Sequence, residues 1–371
     1  MKILWLTNIP SPYRVDFFNE LGSQCELTVL FEKSTSSERD TSWANFHFHK
    51  FTGVILKNIS MGSDKALSLE QLKYIKNEMF DHIIVSNPFT LTGIITTHFM
   101  RMKNISFSIV SDGGMSKYEN KFKIAFKTKV LKGATFYFST AKSHDEYYMK
   151  YGVNIEKIVR YPFTSLHTED ILEKPINISD KNILKDQLNI KEEKVILSVG
   201  RFIPSKGIDV LLKSFKGMPD NYGLYVIGGE ATQDYTEMKK KLELTNVHFH
   251  GFKNKHELKE YYMLSDLFVL PTRGDIWGLV INEAMAAGLP IITTDKCVAG
   301  VELIEEEING YIVPVDNTIE MNRLIKKVLN DNVLREKIAK NNLEKIREYT
   351  IQKMVNKHIT IFNALLGVNN K

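Results

Sequence analysis

In the stretch RGDIWGLVINEAMAAGLPII, residues 273–292, two acids stand eight positions apart, Asp275 and Glu283, around the glycine at 278. Pro271 ends the apolar run before it, so 272–278 reads as a loop at the carboxyl end of a strand. Leu279–Ala287 then reads as a helix packed through Ala284, Ala286 and Ala287 and stopped by Gly288 and Pro290. The amides of Gly278, Leu279 and Val280 fall at the positive end of that helix, with no intrahelical acceptor, and a diphosphate would fit there. Glu283, one turn in, offers an acceptor-only carboxylate to a pair of neighbouring hydroxyls, as on a ribose. Asp275 can reach a second polyhydroxylated group beyond the phosphates. Sugar, diphosphate and ribose in that order describe a nucleotide sugar. Both acids are equally explained by the preference of carboxylates for a helix N-terminus, worth a few tenths of a kcal/mol up to about one each.

A second loop adds positive charge. SVGRFIPSKGIDVLLKSF, residues 198–215, puts Gly200 and Arg201 at a strand end and Lys206 ahead of an amphipathic helix. An arginine fork and a compact ammonium suit phosphate oxygens, each contact contributing about 1.5–3 kcal/mol when desolvated. Taken singly, either is the kind of cation that ordinarily faces solvent. In the first half, IVSDGGMSKYENKF places Asp112 at a strand end, with Gly113 and Gly114 permitting a tight turn. Asp112 is therefore a candidate ligand or proton partner for an acceptor hydroxyl, or else a turn-stabilising residue. Tyr13 and Arg14 fall in the first turn of a helix, where a cation opposes the dipole and implies an anionic partner, either a ligand or a nearby carboxylate. His98 and His144 read as surface or structural residues.

These residues need elements to hold them. The 371-residue chain is 43% hydrophobic and 25% charged, a composition for a soluble globular protein long enough for two domains. Strand-like runs at 2–8, 25–31, 82–87, 105–112 and 134–140 alternate with helical ones. Ser11 and Pro12 open the first helix, and further helices are expected over 68–79 and 117–132. After residue 163 the sequence turns polar and proline-bearing, and the strand-helix order restarts at KVILSVGR, 194–201, continuing to GYIVP, 310–314. Everything after Thr318 reads as helix. The predicted architecture is α/β, two doubly wound Rossmann-like parallel-sheet domains facing across a cleft and binding ligands at strand carboxyl ends. The first domain is expected over 1–165 and the second over 194–349, with 166–193 a linker and first helix.

Cys25 and Cys297 are too few for a disulfide framework or a zinc site and fit a reducing, cytoplasmic compartment. No run approaches the roughly 20 apolar residues that cross a bilayer. A formal charge of +5 is compatible with anionic substrates or a membrane surface. Residues 117–132 carry six lysines against one glutamate, with Phe122 and Phe126 interleaved. They could rest peripherally on an anionic inner membrane face, or form a partly buried helix, because Ile124 and Leu131 fall opposite Phe122 on a helical wheel.

GRFIPSKG followed by PTRGDIWGLVINEAMAAGLPII resembles the Gly-Arg-x4-Lys-Gly loop and acid-x7-Glu motif of the retaining family 4 glycosyltransferases of GT-B fold. VHFHGF, YYMLSDLFVLPT, PSPYRVDFFNEL and SHDEYYMKYGVNIEKIVRYPF extend the similarity over most of the chain. The resemblance implies Arg201 and Lys206 on a donor diphosphate, Glu283 on its ribose, Asp275 on the transferred sugar, and the backbone near Gly251 and Phe252 on the base. Gly200, Gly278, Leu279 and Val280 would complete the donor site. Many members of the family have a His in the region of Asp112, so it is the residues themselves that make Tyr13, Arg14, Asp112 and Gly113 the expected acceptor site and add Asp112 to Arg201, Lys206 and Asp275 as the catalytic set. It also implies that 350–371 returns to the first domain. The expected co-substrate is a nucleotide-diphosphate sugar, first of all a UDP-sugar, with no cofactor and no nucleic acid. The expected acceptor is a saccharide or lipid-diphosphate-linked saccharide, in surface polysaccharide or glycolipid synthesis. Asp275 stands where the family usually has Glu, one methylene longer, which leaves the donor sugar open. No Asp-x-Asp occurs, so no metal is expected, and leaving-group charge falls to Arg201, Lys206 and the helix N-terminus. A catalytically silent nucleotide-sugar-binding subunit and a sugar-nucleotide epimerase of the same fold are the alternatives, although no acid/base cluster suited to epimerisation is visible.

Overall fold

The computed structural model describes residues 1–35, 47–61, 66–75, 79–112 and 119–367. The chain divides into two compact units, Met1–Ser165 with Thr350–Lys371, and Leu166–Tyr349. In the first, among the described residues, the strands are β1 (Lys2–Thr7), β2 (Glu26–Phe31), β3 (Thr52–Ile55), a short hairpin of β4 (Ile59–Ser60) and β5 (Ala66–Leu67), β6 (His82–Ser86), β7 (Phe107–Val110), β8 (Tyr137–Ser139) and β9 (Ile158–Arg160). Its sheet runs β3-β2-β1-β6-β7-β8-β9, and every pairing in it is parallel. The helices are α1 (Pro12–Gly22), α2 (Leu91–Met102), α3 (Lys121–Leu131) and α4 (Lys142–Lys150). Parallel strands are covered on both faces, so they read as continuous apolar runs rather than alternating ones: Ile3, Leu4, Trp5 and Leu6 are all buried.

α1 begins at Pro12 as its sequence predicts, but the Ser11 hydroxyl does not cap it. The helix expected over 68–79 is, in its described part, one 3-10 turn at Glu70–Lys73. The apolar residues there are too few to bury a helical face, and the turn is held through Ser68 and Gln71 to Thr92 and Thr96 of α2. β3 was absent from the sequence reading, since a four-residue edge strand with partly exposed side chains carries little pattern.

α3 settles which way its mixed face points. Ile124 packs on the core and Val130 and Leu131 are buried, while Phe122 is 88% and Phe126 51% exposed. Lys127 also turns inward, with its ammonium on Glu119 at 2.8 Å and over the rings of Tyr147 and Tyr151. Burial opposes the charge of Glu119, but the bonds from Lys127, Tyr151 and Lys123 outweigh it and hold the carboxyl down at about 2.

The last helix, α13 (Ile351–Leu365, numbered after those of the second unit), belongs to the first unit. His358 on it is buried, stacks on Phe138 at 4.9 Å and contacts the rings of Trp5 and Phe17. Its Nδ1 donates to the Met354 carbonyl, and burial pushes its pKa down to about 4, so the ring is a neutral core residue.

The second unit contains α5 (Ile178–Gln187), β10 (Lys194–Val199), α6 (Ile208–Phe215), β11 (Tyr222–Ile227), α7 (Gln233–Lys241), β12 (Val247–His250), α8 (Lys255–Leu264), β13 (Leu267–Leu270), α9 (Leu279–Ala286), β14 (Ile291–Thr294), α10 (Val298–Leu303), β15 (Gly310–Val313), α11 (Thr318–Asn330) and α12 (Asn332–Ile346). Its sheet is parallel throughout in the order β12-β11-β10-β13-β14-β15. Strand order reverses between β10 and β13, the switch point at which open α/β sheets bind ligands. The polar stretch after residue 163 is not a free connector. Leu172 N donates to Ala286 O, Asp170 pairs with Lys255, and Lys181 of α5 reaches the Ser265 carbonyl at 2.6 Å and Asp266 at 3.1 Å. α5 has no fully buried residue, so polar contacts rather than an apolar stripe dock it.

Glu32 follows β2, is fully buried, and accepts a 2.9 Å bond from the Thr90 hydroxyl. Burial raises its pKa from 4.5 to about 7. The folded state therefore keeps a proton that the unfolded chain releases, so stability falls as pH rises from about 4.5 to about 7. Melting temperatures of wild type and Glu32→Gln at pH 5 and pH 8 test this. The wild type should lose ground to the variant at pH 8, and an unchanged difference would disprove the assignment.

Candidate active site

The loop leaving β10 carries Gly200 and a partly buried Arg201, then a 3-10 turn, Pro204–Lys206, and Gly207 as the residue preceding α6. Gly207 has φ +69°, and a Cβ there would sit 2.0 Å from the Pro271 carbonyl oxygen. Only glycine permits this turn to lie against the end of β13. The stem of Lys206 passes where a side chain at Gly200 would be, its Cγ and Cδ 3.6 Å from that position. The Lys206 ammonium ends 2.5 Å from Asp275 Oδ2, with both side chains mostly buried.

Asp275 is itself held by backbone: its N–H donates to Lys296 O and its carbonyl accepts from Val298 N. Trp277 is buried, with Nε1 on Asn282 Oδ1 at 2.8 Å and its carbonyl on Ala299 N at 2.8 Å. The chain then turns at Gly278, φ +101°, into α9, where a Cβ would lie 2.8 Å from Cys297 Sγ. Leu279 and Val280 open the helix, so within it their amides have no carbonyl one turn back. Glu283 follows one turn in and accepts from the Tyr262 hydroxyl at 2.9 Å. Burial, then the Glu283 charge, raises the Tyr262 pKa well above its ordinary value, so the phenol stays a neutral donor.

Lys206, Asp275, the start of α9 and Glu283 are thus held at the switch point of one sheet. Gly251 and Phe252 follow β12 at the sheet's edge, two strands from β10, and Phe252 presents a ring 52% exposed. The sequence reading missed Arg273, whose guanidinium takes both oxygens of Asp209 at 2.8 Å, Asp316 at 2.7 Å and the Pro204 carbonyl at 2.7 Å. Its partners lie far off in sequence, so only its place inside the motif could have pointed to it. Among the described residues no group of three or more His, Cys, Asp or Glu is arranged to hold a metal ion.

In the first unit, Arg14 is buried and its Nη2 meets both oxygens of Asp112, at 2.6 and 2.5 Å. Nη1 reaches Thr7 at 2.9 Å, and the Tyr13 hydroxyl donates to Asp112 at 3.3 Å. Of the two partners considered for Arg14, the carboxylate is the one present. Burial opposes the guanidinium charge, but Asp112 outweighs it and raises the pKa of Arg14. Asp112 keeps 31% of its side chain exposed. Gly113 lies outside the described residues. His144 is buried and stacked on Tyr148, with burial pushing its pKa down to about 4, and His98 is exposed.

Residues 180–345 match the family model described as Glycosyl transferases group 1. That match lies within the second unit, Leu166–Tyr349. An uncharacterized glycosyltransferase of Haemophilus influenzae is 31% identical over 188 residues, which is 48% of this chain and 52% of that protein, so the chain spans about half that relative's length. The N,N'-diacetylbacillosaminyl-diphospho-undecaprenol alpha-1,3-N-acetylgalactosaminyltransferase of Campylobacter jejuni is 22% identical over 306 residues, which is 79% of this chain and 80% of that enzyme. Anabaena Alr3699/HepE, solved in complex with UDP, superposes with a TM-score of 0.80 at 16% identity, covering 98% of this chain and 100% of that one. Solved glycosyltransferases of GT-B fold superpose over nearly the whole chain as well, which gives the fold as GT-B, two Rossmann-like parallel-sheet domains.

Gly207→Ala should destabilise the second unit by about 1–3 kcal/mol or more, since strain at φ +69° is joined by the collision with Pro271. Gly217, φ +75°, has open space around it and isolates the backbone part. Chemical denaturation should show a smaller loss for Gly217→Ala; equal losses would mean that the Pro271 contact carries no energy.

Proposed function

We propose that the protein is a retaining, family 4-type hexosyltransferase that moves a sugar from a nucleotide-diphosphate donor, a UDP-sugar first of all, to a saccharide or lipid-diphosphate-linked acceptor. The observation that carries this reading is the meeting of Lys206 and Asp275 beside the N-terminus of α9, on the group 1 domain. Lys206, Arg201 and the amides at 278–280 take the charge of the departing diphosphate, as preorganised donors that need no metal. Glu283, oriented by Tyr262, holds the ribose, Phe252 and Gly251 flank the base, and Asp275 meets the hydroxyls of the transferred sugar. Retention follows if the acceptor hydroxyl attacks on the face from which the diphosphate leaves and gives its proton to a diphosphate oxygen. No side-chain nucleophile is then required. The UDP complex of HepE and the lipid-diphosphate acceptor in the name of the Campylobacter enzyme support the donor and acceptor classes.

The first unit is the acceptor domain in this reading, with the exposed edge of Asp112 receiving an acceptor hydroxyl while Arg14 fixes its orientation and Tyr13 borders it. With both oxygens of Asp112 already on Arg14, its part is binding the acceptor hydroxyl rather than removing its proton. Outward Phe122 and Phe126, among Lys121, Lys123, Lys129 and Lys132, suit peripheral contact with an anionic membrane on the cytoplasmic side, where a lipid-linked acceptor resides. Among the described residues no helix is long and apolar enough to cross a membrane.

Incubation with a panel of nucleotide sugars, with and without lipid extract, should release nucleoside diphosphate only when acceptor is present. Arg201→Ala and Lys206→Ala should each lower that rate by about 100-fold or more in variants that remain folded. Near-normal rates in folded variants would refute the donor site. Vesicles containing anionic lipid should co-sediment the protein, and changing Lys121, Lys123, Lys129 and Lys132 to glutamine should weaken this; undiminished binding would remove the membrane contact.

A further inference from the structure

Transfer in the proposed manner needs the Lys206 ammonium and the Asp275 carboxylate at a fixed separation, yet they lie 69 residues apart on two different loops. Ion pairing alone does not fix loops, because two flexible side chains can follow each other's motion. The backbone connections between the loops converge on Arg273 and its neighbour. The Ser205 carbonyl accepts from Arg273 N at 2.8 Å and from the Thr272 hydroxyl at 2.9 Å. The Arg273 side chain then reaches back over the same turn to the Pro204 carbonyl, takes both oxygens of Asp209 in the first turn of α6, and extends Nε to Asp316. Asp316 follows β15 and is held at φ +62°, a conformation Asp adopts when its surroundings impose it. Loops from β10, β13 and β15 are therefore fastened at one guanidinium.

Two carboxylates already neutralise Arg273, which leaves it little charge to offer a diphosphate. Lys206, with one carboxylate and three N–H donors, is the cation suited to the ligand. We infer that Arg273 is a positioning residue for the transfer: without touching the donor, it fixes the 204–206 turn and so sets the Lys206 ammonium against Asp275. This inference rests on the transferase reading above.

The test is a double-mutant cycle on diphosphate release, with kcat, donor KM and melting temperature measured for wild type, Arg273→Ala, Lys206→Ala and the double variant. Misplacing a catalytic group by about 1 Å can cost about 100-fold, so Arg273→Ala should lower kcat by about 10–100-fold and change donor KM less. In the Lys206→Ala background the same change should cost under about threefold, because the group it positions is gone. A residue with a merely structural role would give additive losses, and additivity overturns the inference, as does an unchanged kcat. Should Arg273→Ala fail to fold, Asp209→Asn, which weakens the fork while keeping the arginine, takes its place in the cycle and must show the same coupling. If wild type releases no diphosphate with any nucleotide sugar and acceptor, it is the transferase reading that fails; if wild type is active and Lys206→Ala impaired, but the losses add, only the positioning role fails.

Discussion

The carbonyl of Ser205 takes two hydrogen bonds from the loop that leaves β13, and the neighbouring Gly207 lies against the carbonyl of Pro271. That close approach of two backbones is the constraint on which the candidate site of the second unit depends. It exists because a residue without a side chain sits in a left-handed turn at the one place where a Cβ would collide. Everything chemical at the switch point of the second sheet hangs from the two loops so joined: Lys206 on one, Asp275 and the start of α9 on the other. A site assembled on strand ends and stitched through backbone carbonyls resists the small displacements to which electrostatic stabilisation is most sensitive.

Charge is distributed in that half with a clear division. Arg273 is enclosed by Asp209 and Asp316 and serves the architecture, while Lys206 carries a single carboxylate. In the first unit the same logic appears with deeper burial. Arg14 carries its charge into a buried position, and Asp112 supplies the counterion from the end of β7. Removing Asp112 would strand the buried guanidinium, a loss of about 3–5 kcal/mol for a buried charge left unpaired, so the ion pair is part of the fold.

The first core is closed by the end of the chain. α13 lays Met354, Val355, His358 and Phe362 into it, and the His358 ring fills an aromatic layer with Phe138, Trp5 and Phe17. Burial keeps that imidazole neutral, and it packs there as a flat ring.

The sequence by itself determined the alternation of apolar strands and helices, the parallel sheets that follow from it, and the two loops whose glycines and charges mark a site. These are local properties: apolar runs of strand length, Pro12 and Gly278 at helix starts, a cation loop and an acid loop each legible within twenty residues. Only the tertiary structure decided which partners the charges take. Arg14 finds Asp112 across 98 residues and Arg273 finds Asp209 across 64, distances over which no periodicity carries information. It also decided which face of α3 turns outward, because a helix with apolar residues on both sides is oriented by the core it meets, and the Glu119 and aromatic cluster that receives Lys127 forms only when α3 and α4 are packed. Spacing along the chain fixes what a residue can do; which residue it does it with is fixed by folding.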